Sequence, residues 1–248
     1  RSATAAARVY SSMMLIAVVS LAVPSSFSRF FAPEETIRSE TLLNVGLAIV
    51  LLTAYVLYLV FMLKTHPGAF AAKGGHGGGH GGKKAKGERW SLPRAVGSLV
   101  GASLLAAWMS EILVGAAEGT GTALGMTQVF IGIVFVAIVG GAAESLSAIV
   151  MARKNRVDMT IGIALGSSIQ IALFVAPVLV LASYFIAPQP LELAFGRAEV
   201  GALFMAVLIG AVVVGDGRSN WYKGVQLITV YTIIALMFYL LPDIAHAG

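Results

Sequence analysis

Cysteine is absent from the 248 residues, which excludes disulfides and thiolate metal sites and leaves the redox compartment unreadable. Charge is also scarce. Asp, Glu, Lys and Arg make up 12% of the chain against 58% hydrophobic residues, whereas an average soluble domain is roughly 25% charged. With a mean hydropathy of +0.86, the chain reads as an all-α polytopic membrane protein. An initiating Met is lacking too. Residue 1 is Arg, and no basic-then-apolar segment with a small-residue cleavage site precedes the first apolar stretch. A fragment or a processed chain is expected.

What is present is a series of apolar stretches. Seven of them, at 11–27, 42–63, 94–117, 125–152, 159–186, 198–214 and 224–241, approach or exceed the ~20 residues a helix needs to cross a hydrocarbon core about 30 Å thick. The first and sixth are the shortest. If every stretch crosses, fourteen of the 17 Lys and Arg fall on one side, among them Arg8, Lys64, Lys83, Arg153, Arg156, Arg218 and Lys223. Only Arg29, Arg38 and Arg197 fall on the other. The positive-inside rule then places the amino terminus and the loop at 64–91 in the cytoplasm and the final "LPDIAHAG" outside. A net charge of +5 distributed in this way implies no nucleic-acid partner. It orients the chain in a bilayer.

The segment at 64–91, "KTHPGAFAAKGGHGGGHGGKKAKGERWS", is basic, rich in Gly and without apolar periodicity, so it reads as a flexible linker. His76 and His80 have the i, i+4 spacing of a helical ligand pair. The surrounding glycines disfavour a helix there, which makes a solvated tether the stronger reading. The linker separates two spans (1–63) from five (92–248). Five is the count of one half of an inverted-repeat transporter, and no second copy is visible in the chain.

Within "VAIVGGAAESLSAIVMARKN" (137–156), Glu144 is a lone carboxylate inside the fourth span. An ionised Glu at mid-bilayer costs about 2.5–3.5 kcal/mol on insertion scales, so such residues face a bundle interior or a watery cavity and mark an ion or proton path. The alternative is a protonated Glu hydrogen-bonded between helices. Gly140, Gly141, Ser147 and Ala148 share its helical face and permit close backbone approach. The Gly140–Gly141 pair is a place where the helix can break and free carbonyls for a cation. The fifth span holds "IGIALGSSIQIALFVAP", whose Ser167, Ser168 and Gln170 offer hydroxyl and amide oxygens. With Glu144 on the preceding antiparallel span they make an oxygen-rich set suited to a hard divalent cation; taken singly, they are ordinary inter-helix hydrogen bonders. Ser110 and Glu111 lie deep enough in the third span to contribute. Glu199, just after Arg197 at a span entrance, suits capping or an ion pair, and Trp221 and Tyr222 suit interfacial anchoring.

Taken together, "GGAAESLSAIVMARKNRVDMTIGIALGSSIQIALFVAPVLVL" and "DGRSNWYKG" resemble the carboxyl-terminal half of the CAX-type cation/proton exchangers, the Ca²⁺/H⁺ antiporters of the calcium:cation antiporter superfamily. The resemblance is strong over 94–243 and looser over 1–70. It implies a leading helix followed by two five-helix inverted repeats, each carrying a glutamate that meets its counterpart at the midplane. Glu144 matches the second glutamate and is the metal-binding candidate, with Ser167, Ser168 and Gln170 matching the polar cluster on the next helix. The family's usual Asn is Gly141 here, its usual His is Ser145, and its "SNWLEG" is "SNWYKG", with Lys223 in place of an acid. The motif of the first repeat is not in this chain.

The expected function is secondary transport rather than enzymatic catalysis, namely exchange of Ca²⁺ for H⁺. The transported ions take the place of any cofactor, and the partners are the bilayer and a missing amino-terminal half. The expected setting is a prokaryotic plasma membrane. The competing readings are a degenerate, non-transporting half-transporter and a monovalent cation/proton exchanger on the same scaffold.

Overall fold

The computed structural model describes residues 2–30, 36–66, 91–193, 195–216 and 218–241. Most of the linker, with His76 and His80, and the end of the chain from 242 lie outside these residues. Among the described residues every regular element is helical. In chain order they are α1 (Ser2–Phe30), α2 (Thr36–Val60), α3 (Leu92–Ala123), α4 (Gln128–Gly140), α5 (Ala142–Arg153), α6 (Val157–Ile186), α7 (Arg197–Val214) and α8 (Trp221–Leu240). Six of these are long and apolar enough to cross a membrane, and α4 with α5, bent by 55° at the break, makes a seventh if the pair is one span rather than a re-entrant loop. Each of the seven apolar stretches of the sequence falls on one of these six helices or on the bent pair, and the chain is a polytopic all-α membrane protein.

The chain forms two compact units, one of residues 1–73 with 143–231 and the other of 74–142 with 232–248. In the first unit, α6 is the central element. Ile169 and Leu173 are fully buried in it, and Val180 nearly so. Its first half packs on α1 and its second half on α2, while α1 also packs on α7. Tyr10, Ala17, Leu51 and Tyr58 close around Ile169 and Leu173. Lipid tails are as apolar as Leu, so these contacts hold by close packing rather than by escape from water. The one proline inside α6, Pro177, is buried. Proline removes one backbone donor and crowds the carbonyl four residues back. The helix meets this with a wider π-helical turn, Ile171–Val175, directly ahead of it.

Side-chain caps hold the ends of this unit. Between α6 and α7, the Leu191 N–H donates to Ser183 Oγ and the Phe195 N–H to Ser25 Oγ, both at 2.8 Å. Glu199 takes the capping role. Its Oε2 accepts the Gly196 N–H at 2.6 Å from the third position of α7, satisfying one of the donors that a helix start leaves open.

In the second unit α3 ends where Gly125 takes φ +69°, a left-handed conformation that costs glycine little. Met126 N–H then reaches Gly121 O at 2.8 Å and Gly125 N–H reaches Thr122 O at 3.1 Å, the paired bonds of a Schellman cap. Thr127 begins α4 by accepting the Phe130 N–H at 3.2 Å, and its hydroxyl donates to Phe238 O at 3.1 Å.

The tightest approach in this unit is Gly121 against Ile131, which is 1% exposed. A Cβ at Gly121 would fall 2.1 Å from Ile131 Cδ1 and 2.5 Å from Cγ1. Gly121→Ala is therefore expected to destabilise the unit by ~1–3 kcal/mol through overpacking. Thermal unfolding in detergent should show the loss, and Ile131→Ala should recover part of it by removing the clashing atoms. An unchanged melting temperature in Gly121→Ala would mean the contact is slack.

Candidate functional site

The turn between α5 and α6 sets the depth of the candidate residues. Asn155 adopts φ 56°, a region that Asn tolerates better than most side chains. Arg156 N–H then reaches Met151 O at 3.0 Å and Asn155 N–H reaches Ala152 O at 2.9 Å. This Schellman cap reverses the chain in three residues, and Thr160 Oγ1 ties the two helices by donating to Ala148 O at 3.2 Å. From the turn, Glu144 lies nine residues back from Arg153 and Ser167 ten residues on from Val157. At 1.5 Å per residue both sit about 14–15 Å along their helices, close to the middle of a 30 Å core.

Glu144 occupies the first turn of α5, directly after the break. The preceding helix ends at Gly140, and Gly141 leaves the helical region at φ −89°, ψ 8° while its N–H still reaches Ala137 O at 3.0 Å. A π-helical turn, Ile131–Val136, lies one helical turn before the break. The Glu144 side chain is exposed and makes no hydrogen bond or ion pair among the described residues.

The polar residues of α6 are arranged differently. Ser167 and Ser168 are half-buried, and both hydroxyls donate to Ala164 O, at 3.1 and 3.0 Å. Their lone pairs remain available to a cation, because a hydroxyl that donates once can still accept. Gln170 is exposed at the end of the regular α-helix, where the π-helical turn begins. No hydrogen bond joins Glu144 to Ser167, Ser168 or Gln170. Ser110 and Glu111 are exposed on α3, in the second unit. Among the described residues no three His, Cys, Asp or Glu side chains gather in a way that could hold a metal ion.

Three features were missed by the sequence reading. Two are the π-helical turns at 131–136 and 171–175, next to the break and to Gln170; π-turns recur at functional sites. Pro177 was a usable signal for the second, whereas nothing in "IGIVFV" marks the first. The third is Asn44 in α2, which is 4% exposed with Oδ1 lacking a protein partner; a single amide inside an apolar span was the available signal.

At the end of α7 the polar turn is closed by charge. Lys223 Nζ donates to Asp216 Oδ1 at 2.5 Å and to Arg218 O at 3.0 Å, and Arg218 N–H donates to Asp216 Oδ1 at 3.0 Å. The Lys223 ammonium, and next the Arg218 N–H, hold the Asp216 carboxyl below its ordinary pKa of 3.8. A carboxylate with a lowered folded-state pKa contributes stability above the ordinary value and loses it as pH falls through the lowered one. Because Asp216 is exposed, the effect is local to the turn. Carbon-detected NMR titration should find its midpoint below 3.8, and Lys223→Gln should move the midpoint up. An unmoved midpoint would mean that the bridge does not persist in solution.

With this geometry in view, comparison with known proteins is informative. The family described as Sodium/calcium exchanger protein matches residues 94–240. A protein of Aphanothece halophytica named Ca²⁺/H⁺ antiporter is 36% identical over 98% of this chain and 66% of its own length. The Ca²⁺/H⁺ antiporter ChaA of Bacillus subtilis is 37% identical over 95% of this chain and 65% of its own. The solved structure of native YfkE superimposes with a TM-score of 0.74 at 34% identity, covering 96% of this chain and 64% of that one. The chain thus spans just under two thirds of the length of these proteins.

Proposed function

The chain belongs to the sodium/calcium exchanger protein family, and from that premise we propose that it forms part of a secondary antiporter that moves Ca²⁺ against H⁺ across a membrane. Glu144 is the exchanging carboxylate, and Ser167, Ser168 and Gln170 supply neutral oxygens. The residues at 92–248 constitute one five-span repeat, 1–63 the end of the preceding half, and 64–91 the tether between them. The basic loops, with Arg153, Arg156, Arg218 and Lys223, face the cytoplasm of a prokaryotic cell.

The observation that carries this reading is the position of Glu144: an unpaired carboxylate at mid-span depth, in the first turn of a helix that restarts after a break. Left ionised against lipid it would cost about 2.5–3.5 kcal/mol. Its negative charge is compensated in either of two loaded states, by a proton or by a cation. A site that crosses readily only when loaded exchanges one ion for the other, and no covalent chemistry or resident cofactor is required. Calcium is favoured over a soft metal because every candidate ligand is oxygen.

The test is radioactive calcium uptake into proteoliposomes under an imposed pH gradient, with this chain joined to the preceding segment of a full-length relative. Uptake should require the gradient and collapse when the gradient is dissipated. Uptake that follows a sodium gradient, or that ignores both gradients, would reject proton coupling.

A further inference from the structure

Within the first unit, α1 and α2 pack in a fixed antiparallel register. Tyr10 and Tyr58 are joined by a side-chain hydrogen bond, Ala17 shares their buried cluster with Leu51, and Leu21 shares the next cluster with Ala48. Residue numbers therefore rise along α1 as they fall along α2. One helical turn beyond Leu21 and Ala48, the same two faces carry Ser25 and Asn44. Three groups in this polar tier have hydrogen-bonding capacity left over. Asn44 is 4% exposed, and its Oδ1 has no donor among the described residues. Pro24, buried beside Ser25, has no N–H, so the Ser20 carbonyl loses the donor that a regular helix would supply. Ser25 Oγ accepts the Phe195 N–H at 2.8 Å, but its own hydrogen is directed at Leu21 O, 3.4 Å away, beyond the usual O–H···O range of about 2.5–3.0 Å. Inside a bilayer the lipid satisfies none of these groups, and ordered water and serine hydroxyls are the usual remedy beside a proline in a span.

From this arrangement we infer that one water molecule is bound between α1 and α2, donating to Asn44 Oδ1 and to the Ser20 carbonyl and accepting the Ser25 hydroxyl. Two acceptors without donors and one donor without a good acceptor are the complement of a single water, and about three bonds is the usual number for a buried one. A cation would leave the hydroxyl hydrogen unmatched. The water links α2 to Ser25, which holds the loop before α7 at Phe195, while Ser183 of α6 holds the same loop at Leu191. One hydrogen-bonded chain then ties α1, α2 and α6 at this end of the unit.

Radiolytic hydroxyl-radical footprinting of the chain in nanodiscs tests the site directly, because radicals formed from a bound water oxidise side chains that bulk solvent does not reach. Leu21, 6% exposed, should be oxidised in the parent and protected in Asn44→Leu, which keeps the side chain's volume and removes its amide. Pro24→Ala, which returns an N–H to the Ser20 carbonyl in a residue that favours helix, should also lower Leu21 oxidation. Amide exchange and thermal unfolding provide further readouts. Exchange at Phe195 should rise about fivefold in Asn44→Leu, as expected for the loss of one net hydrogen bond, and the melting temperature should fall by about 2–4 °C. Leu21 unoxidised in the parent, or oxidised equally in all three chains, would overturn the assignment. So would an Asn44→Leu chain that melts higher with Phe195 exchange unchanged, the result expected if the amide oxygen is dry. Protection of Leu21 by added sodium would overturn it in favour of a cation.

Discussion

Glu144→Gln is expected to abolish proton-coupled cation movement in the completed transporter while leaving its expression, elution profile and melting temperature near those of the parent. Gln keeps the shape and polarity of the side chain but cannot give up a proton or neutralise a cation. Because Glu144 is exposed and makes no hydrogen bond within the described residues, its replacement removes no packing and strands no buried partner. The expected loss is large for the same reason the residue is unusual. If the empty ionised state carries a penalty of about 2.5–3.5 kcal/mol, unproductive crossing is suppressed by roughly a hundredfold, and the variant has neither that penalty nor the loaded states that relieve it. The assay has two arms, calcium uptake driven by a pH gradient and gradient dissipation triggered by calcium, and both should fall to the protein-free level. Parental exchange in either arm would remove Glu144 from the mechanism. A fall in melting temperature alongside the lost activity would show instead a structural carboxyl.

The features legible in the sequence were those that sum over many residues. A span is an average over about twenty positions, so the seven apolar stretches survive local irregularity and reappear as helices, the first three of which run six to nine residues past the stretch at one end. Glu144 was legible for the opposite reason, as a single charge inside such a run. Less could be read where structure depends on what lies across a contact. The closeness of Gly121 to Ile131 is a relation between two helices, and Gly121 alone is one of 28 glycines. Arg197 beside Glu199 allowed either an ion pair or a cap, and the backbone N–H of Gly196 decided for the cap. Lys223 was noticed as a departure from a family pattern, but its bridge to Asp216 requires the turn to bring together residues seven apart. At the candidate site, axial depth followed from counting residues out from the α5–α6 turn. The lateral arrangement did not, because helical spacing assigns a residue to a face without saying what that face meets.

Calcium titrated into this chain alone is expected to bind no more tightly than about 10⁻⁴ M, the weak end of protein calcium sites. The ion takes six to eight oxygens, and a site without enough carboxylates leaves positive charge uncompensated at a depth where water is scarce. In the first unit the candidates are one carboxylate, Glu144, two serine hydroxyls that already share Ala164 O, and the Gln170 amide. Among the described residues no group of three acidic or imidazole side chains gathers that could hold a metal. The relatives are about half as long again as the part this chain spans, so a second carboxylate from the remaining length is the proposed complement. Isothermal calorimetry on the purified chain, repeated after the preceding segment of a relative is joined to it, should show tight binding only in the joined protein. Liposomes containing this chain alone should take up no calcium under a pH gradient. Micromolar binding, ~10⁻⁶ M, by the chain alone would mean that it completes a site by itself. Glu111→Gln would then divide the explanations. Loss of that binding in Glu111→Gln would make Glu111 the second ligand. Binding that survives Glu111→Gln but appears only with a dimer, at one calcium per two chains, would place two copies of Glu144 around one ion.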